Sequence, residues 1–294
     1  MKNCIVVQAF VKLDTLRDLC GSLLKCQKID EFNLVFWLDN PIGSRKEAEF
    51  QQKFALVKDF VEDFAKCNAA KFKSIETILN DTNLGTCKTC QVSIDYAMSK
   101  YDFVVFTEDD TIMSADTLVW FLAASGTDDF RSSRVWAIAG ESIFFDGQSV
   151  QVSDEWVARA KLFAEARNLY NCYIELNFLP STCFATTRSK WNEFSETRGL
   201  PCGDVDVCDR CRDEHKYAIF PIIARVKDVG MQHSDGYSVL IHSLENVTSV
   251  KSTYLTANDA PQNFNLDTPV PFKGSDGELW RRSVLLEGFE GPLS

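Results

Sequence analysis

Glu108, Asp109 and Asp110 stand side by side immediately after the apolar segment 102–107 (DFVVFT). Three like charges at the end of a buried strand repel one another. The arrangement is costly unless water, a metal ion or a basic partner compensates it. Hard divalent cations such as Mg²⁺ and Mn²⁺ prefer carboxylate oxygens and keep coordination positions free for substrate phosphates. Two plainer readings stand beside that chemistry. The triplet is also what a solvated loop looks like, and acids favour the N-terminus of a following helix. Better helix caps for that purpose stand downstream, at Ser114 and Asp116. The apolar strand that leads into the triplet favours a ligand-binding role over a generic acidic loop.

The segments around the triplet fix where it must lie. Residues 4–10 (CIVVQAF), 32–38 (FNLVFWL), 72–79 and 102–107 read as strands, the clearest of them continuous apolar runs suited to burial on both faces. Between them lie helical periods: 13–26 with Asp14 as cap, 44–67 with Ser44 as N-cap and Glu47 at the capping-box position, and 87–100. Strand–helix alternation predicts an α/β fold with a mainly parallel sheet and helices on both faces. Ligands of such sheets bind outside the carboxyl ends of the strands. Asp39, which follows the second strand, is expected at that edge with the acidic triplet. So is the loop 80–86 (NDTNLGT), where Gly85 permits close backbone approach. Beyond residue 125 the pattern is less regular. Residues 134–140, 178–186 and 218–226 read as strands, 156–168 as a helix and 261–272 as an irregular tail.

Composition narrows the function classes. The chain has 294 residues, which suits one elaborated domain: a first half 1–125, a second half 126–260 and a tail 261–294. A net charge of −11 argues against non-specific nucleic-acid binding, though a bound cation can reverse the sign locally. The first residues lack the roughly 7–15 apolar residues of a signal core. No window approaches the roughly 20 of a transmembrane segment. The expectation is a cytoplasmic protein. Eleven cysteines are spread along a chain with a large core, which argues for reduced thiols. Two CxxC pairs, Cys87–Cys90 and Cys208–Cys211, have the form of zinc ligands, but they lie much farther apart than finger spacing. Buried or incidental thiols are the favoured reading. The sequons at Asn80 and Asn246 matter only in a secreted chain.

The order apolar strand, acidic triplet, helix resembles the metal-binding DxD-type region of GT-A (Rossmann-like) glycosyltransferases. VVFTEDDTIMSADTLVWF is similar to the EDD region of the N-acetylglucosaminyltransferase I family and to the strand–acid segment of family-2 glycosyltransferases. IVVQAFVKLDTLRDLCGSL looks like their first strand, loop and helix, FNLVFWLDNP like the second strand, and NDTNLGTCKTCQVSIDYA like the Asn-x-Gly loop and helix. The resemblance covers roughly residues 4–125 and is looser beyond. It implies a transferase that moves a sugar from a nucleotide sugar, with a UDP-sugar favoured, to a glycan, lipid-linked or protein hydroxyl.

It also implies roles for residues. Mn²⁺ or Mg²⁺ would be held by Asp110, with His233 in the loop GMQHSDG as a further ligand or phosphate contact; a solvated His is the plainer reading. Ala9, Phe10, Asp39, Asn83, Gly85, Glu108 and Asp109 would line the nucleotide sugar, with Asp39 reading base or ribose. GDVDVCDR resembles the family segment EDVDLCLR, with Gly203 in place of its first acid. Asp204 matches the general base of the inverting enzymes, and Asp206 is the alternate; structurally Asp204 also suits a helix N-cap. VKDVG at 226–230 looks like the family's V-x-x-x-G tail, closing over the nucleotide. Two other classes stay open. A nucleotidyltransferase can use a similar acidic site, but its N-terminal loop is usually Gly-rich, unlike VQAFVKLDT. A non-catalytic carbohydrate- or protein-binding module can keep the same fold.

Overall fold

A pleated strand sends successive side chains to opposite faces, so a continuous apolar strand must be covered on both. The computed structural model, which describes residues 1–141, 173–176, 182–196, 211, 213–221 and 224–230, meets that demand with two cores. Strands β1 (Asn3–Ala9), β2 (Phe32–Leu38), β3 (Ser74–Leu79) and β4 (Phe103–Glu108) alternate with helices α1 (Leu13–Leu23), α2 (Glu47–Asn68) and α3 (Thr86–Lys100). Ile5, Val7, Leu34, Phe36, Phe103 and Val105 face one core, which α1 and α2 close with Leu16, Leu19, Val57 and Val61. Cys4, Val6, Val35, Trp37, Val104 and Phe106 face the other, closed by Ile94, Ala97 and Met98 of α3. Burial of each such aliphatic side chain is worth roughly 1.5–3 kcal/mol, which makes the strand register unambiguous.

After β4 come β5 (Thr111–Met113), α4 (Thr117–Ser125), α5 (Asp128–Arg131) and β6 (Val135–Ala139). Then follow β7 (Tyr173–Leu176), β8 (Cys183–Thr187), α6 (Arg188–Glu196), β9 (Tyr217–Pro221) and β10 (Val226–Asp228). The main sheet has the order β3-β2-β1-β4-β8-β6-β9-β7. β1 is parallel to β2 and β4, and β2 to β3. β8 runs antiparallel to β4 and β6, and β7 antiparallel to β9. The result is the expected mixed, mainly parallel sheet with helices on both faces. β6, β7, β8 and β9, all after residue 125, extend the same sheet as β1 to β4.

Several local expectations are corrected. The cap position of α1 is Lys12, without a side-chain cap bond, and Asp14 lies in the first turn. α2 starts at Glu47, not after Ser44. Ser44 N–H instead donates to the Pro41 carbonyl at 2.9 Å in a turn, and Glu47 Oε2 accepts from Gly43 N–H at 2.8 Å. The helix therefore begins after the Asp39-Asn40-Pro41 turn has been completed. The triplet is not followed directly by a helix, because β5 intervenes and pairs antiparallel with β10. Asp116 takes the cap position of α4 but caps nothing with its side chain, which is drawn to Arg225 at 3.2 Å. Residues 218–226 are not one strand. β9 ends at Pro221, Arg225 N–H bonds the Gly140 carbonyl at 2.7 Å, and the chain re-enters as β10 in a separate two-stranded sheet. The expected helix 156–168 and tail 261–272 lie outside the described residues, as does the start of the strand expected at 178–186.

Candidate functional site

The carboxyl ends of β1, β2, β3 and β4 meet at one edge, because these four strands are adjacent and parallel. Asp39, just past β2, is buried there and accepts five hydrogen bonds. Its Oδ1 takes Asn40 N–H at 3.1 Å, Asn80 Nδ2 at 2.9 Å and Leu84 N–H at 2.9 Å. Its Oδ2 takes Asn83 Nδ2 and Gly85 N–H, both at 3.0 Å. A carboxylate offers about four lone-pair positions, so this one is saturated. Asp39 organises the loop 80–85, and Gly85, at φ +76, turns that loop into the first residue of α3. Trp37 Nε1–H braces the same loop through Asn80 Oδ1 at 2.9 Å. A ribose or base that bonded Asp39 would have to replace one of these donors.

The end of β1 links this loop to the acids. The Ala9 carbonyl accepts Asp39 N–H at 3.0 Å, and Phe10 N–H donates to Asp109 Oδ2 at 3.0 Å. The Phe10 ring packs edge-on against Phe50 of α2, with centroids 5.3 Å apart. Asp109 and Asp110 are only 4% and 5% exposed. The solvated-loop reading of the triplet is therefore wrong: β10 and the chain after it lie over the acids. Val229 N–H donates to the Asp110 carbonyl at 2.8 Å, and Gly230 N–H to Asp228 Oδ1 at 2.7 Å. The V-x-x-x-G segment thus packs directly on the acidic triplet.

Among the described residues, Lys12 is the cation of this cluster. Its Nζ lies 3.1 Å from Asp109 Oδ1 and donates a hydrogen bond to Asp110 Oδ2. Burial works against its ammonium, but the charges of Asp109, Asp110 and Glu108 outweigh it and hold its pKa above the ordinary lysine value. One cation does not balance the acids. Burial, then the neighbouring Asp110, hold Glu108 well above the usual carboxylate range; Lys12 opposes this, while Asp228 and Asp109 add to it. Burial also raises Asp109, despite Lys12. Asp110 Oδ1 is buried and makes no hydrogen bond. A buried carboxylate oxygen without a partner, in a cluster short of positive charge, suits a hard divalent cation. Among the described residues no three His, Cys, Asp or Glu side chains converge into a complete metal cage. A cation here would be completed by water or by the oxygens of a ligand, as Mg²⁺ commonly is.

Of the residues singled out in the sequence, Ala9, Phe10, Asp39, Asn83, Gly85, Glu108, Asp109 and Asp110 come together at this edge. Asp204, Asp206 and His233 lie outside the described residues. Lys12 and Asp228 were not singled out. The signal for Lys12 was available: it is the lysine of the loop after β1, opposite an acidic triplet that requires a basic partner or a metal. Arg225 is buried against Asp116 at 3.2 Å. Among the described residues the cysteines do not gather around the site. Cys211 is buried in the α3-side core, Cys87 and Cys90 are part-exposed on α3, and burial raises the thiols of Cys4, Cys20 and Cys183. Cys208 lies outside the described residues.

No protein-family model and no curated protein matches the chain. Among solved structures it is similar to the mannosyltransferase PcManGT from Pyrobaculum calidifontis in complex with GDP-Man and Mn²⁺. The identity is 12% and the TM-score 0.51, over 86% of this chain and 66% of that one. It is also similar to S. aureus TarS 1-349, at 16% identity and TM-score 0.47, over 79% of this chain and 61% of that one. The same TarS fragment in complex with UDP-GlcNAc matches at 16% identity and TM-score 0.46, over 77% of this chain and 58% of that one. The chain spans less than two thirds of the length of each of these structures. Among the described residues no helix is long and apolar enough to cross a membrane. At 12% identity the likeness to PcManGT is one of architecture, and with the strand order described above it identifies the fold as the GT-A type.

Proposed function

We propose that this protein is a metal-dependent glycosyltransferase that moves a sugar from a nucleotide-sugar donor, with a UDP-sugar favoured, to a hydroxyl of a glycan, lipid-linked or protein acceptor. One observation carries the reading: Asp110, at the carboxyl edge of a GT-A sheet, keeps a buried oxygen without a partner inside a cluster short of positive charge. Mn²⁺ or Mg²⁺ on Asp110 would supply Lewis-acid offset of the charge that grows on the departing nucleoside diphosphate. Asp109 keeps the acidic strand end against β1 through Phe10 N–H. Glu108 orients ribose or sugar hydroxyls at the same edge. Asp39 acts first as the organiser of the loop 80–85 at the same edge. Asp204 takes the proton from the acceptor hydroxyl, with Asp206 as the alternate, and His233 adds a contact to metal or phosphate. One base and one displacement give inversion at the anomeric carbon.

The test is transfer and hydrolysis of UDP-, GDP-, CMP- and dTDP-sugars with Mn²⁺ and with chelator. Activity is expected with one donor class, dependent on Mn²⁺, and reduced at least a hundredfold in Asp110→Asn. A folded Asp110→Asn that keeps full, metal-dependent transfer sinks the metal assignment. Asp204→Asn is expected to bind the donor and lose most transfer; intact transfer moves the base elsewhere. If no nucleotide sugar raises the melting temperature with Mn²⁺, the chain is a binding module on this fold, because a ligand specific to the native state must stabilise it.

A further inference from the structure

Lys12 sits on the carboxylates that a bound cation would use. Its side chain is 16% exposed and its Nζ bridges two carboxylates, Asp109 Oδ1 at 3.1 Å and Asp110 Oδ2. The two acids are not equivalent. Asp109 has a second donor in Phe10 N–H, whereas the other oxygen of Asp110 has none. The surroundings leave little room for both cations. A Cβ placed on Gly230 would lie 1.8 Å from Asp110 Oδ2, so the face of that oxygen turned towards residues 228–230 is closed by backbone. An ammonium on a flexible four-carbon stem can withdraw, whereas the strand-bound carboxylates and the β10 segment cannot follow it. Two positive charges on one carboxylate in a desolvated cluster repel strongly.

We propose that Lys12 is the resident counter-ion of the Asp109–Asp110 pair in the metal-free protein, and that a divalent cation binds Asp110 by displacing the Lys12 ammonium from it. Lys12 is then a specificity-determining residue for the cation: it holds the acids in place before loading and weakens the affinity for any ion that cannot displace it. The proposal rests on the reading of Asp110 as the metal-holding residue and adds a competitor to it.

The experiment measures Mn²⁺ binding to the full chain without nucleotide, from the loss of the free-Mn²⁺ electron paramagnetic resonance signal. Wild type, Lys12→Met and the double variant Lys12→Met/Asp110→Asn are compared. Lys12→Met is expected to bind Mn²⁺ at least tenfold more tightly than wild type, and the double variant to lose that gain. A second measurement needs only the wild type. Reductive methylation read by mass spectrometry should label Lys12 severalfold faster with Mn²⁺ present, while exposed Lys66 is unchanged; this decides the matter if Lys12→Met does not fold. Equal or weaker Mn²⁺ binding by folded Lys12→Met overturns the proposal, as does Mn²⁺-independent labelling of Lys12 in wild type at Mn²⁺ concentrations that saturate the site. Those failures are distinct from failure of the glycosyltransferase reading, which is tested with donor sugar present and can survive them.

Discussion

Gly230 lies against Asp110: a Cβ at Gly230 would stand 1.8 Å from Asp110 Oδ2 and 2.4 Å from its Cγ. Gly230 is buried, so an added methyl has no route to solvent. Gly230→Ala must push the β10 segment off the acids or move the Asp110 carboxylate. We expect a loss of about 1–3 kcal/mol in denaturant unfolding, typical of overpacking, together with weaker Mn²⁺ binding. Unchanged stability and unchanged Mn²⁺ affinity would mean that the segment does not pack on Asp110 in solution.

Asp39 is a scaffold before it is anything else. Asp39→Ala strips five donors of their acceptor, among them the backbone N–H groups of Leu84 and Gly85. Leaving five buried or part-buried donors without their acceptor is expected to cost about 3 kcal/mol, and to open the loop 80–85 to limited proteolysis. A residue that served only to contact nucleotide would leave the stability of the ligand-free protein unchanged, so urea unfolding of this variant separates the two roles.

The pair Arg225–Asp116, at 2% and 3% side-chain exposure, holds the chain that leads into β10. Around it, the Arg225 carbonyl accepts Ser114 N–H at 2.9 Å and Thr117 Oγ1 at 2.6 Å. Arg225→Met leaves Asp116 buried and charged, a loss of about 3–5 kcal/mol. The double replacement Arg225→Met/Asp116→Leu should recover most of it, because removing both charges removes the desolvation cost as well. A double variant no more stable than the single would show that the pair is not what anchors this segment.

The metal-free protein should prefer acid more than its composition suggests. The folded pKa of Glu108 lies above its unfolded value, through burial first and then Asp110. The folded state therefore binds that proton more tightly than the unfolded state. The resulting stabilisation is present below the unfolded pKa of about 4.3 and is lost as pH rises through the folded value. Asp109 acts in the same direction. In chelator, Glu108→Gln should melt higher than wild type at pH 7, with the gap closing towards pH 4. A gap that stays constant with pH would remove the titration as its cause.

The fold was legible because burial on both faces leaves an unbroken apolar imprint, as in CIVVQAF and FNLVFWL, and the helical stripes between such runs leave only one economical topology. The site edge was legible for a related reason. In a parallel sheet the polar residues that follow each strand come to one side, so Asp39, the loop with Asn83 and Gly85, and the acids 108–110 had to meet. Helix starts were less legible. Asp14 and Ser44 have the chemistry of caps, but Lys12 is drawn to the acids and Ser44 is used in a turn, and such competition is invisible to local spacing.

By itself, then, the amino-acid sequence determined the sheet, its two covering layers and the gathering of carboxylates at one strand edge, since these follow from periodicity and chain order. Only the tertiary structure decided what each carboxylate is for. Asp39 is saturated by its own loop, Asp109 is tied to β1, Asp116 is bound to Arg225, and Asp110 has one oxygen turned to no partner while Lys12 holds the other. Asp116 also keeps an unbonded oxygen, but its charge is met by a buried guanidinium. The physical reason is that partners such as Lys12, Arg225 and Gly230 come from remote parts of the chain, and hydrogen bonding and desolvation depend on those neighbours rather than on residue type.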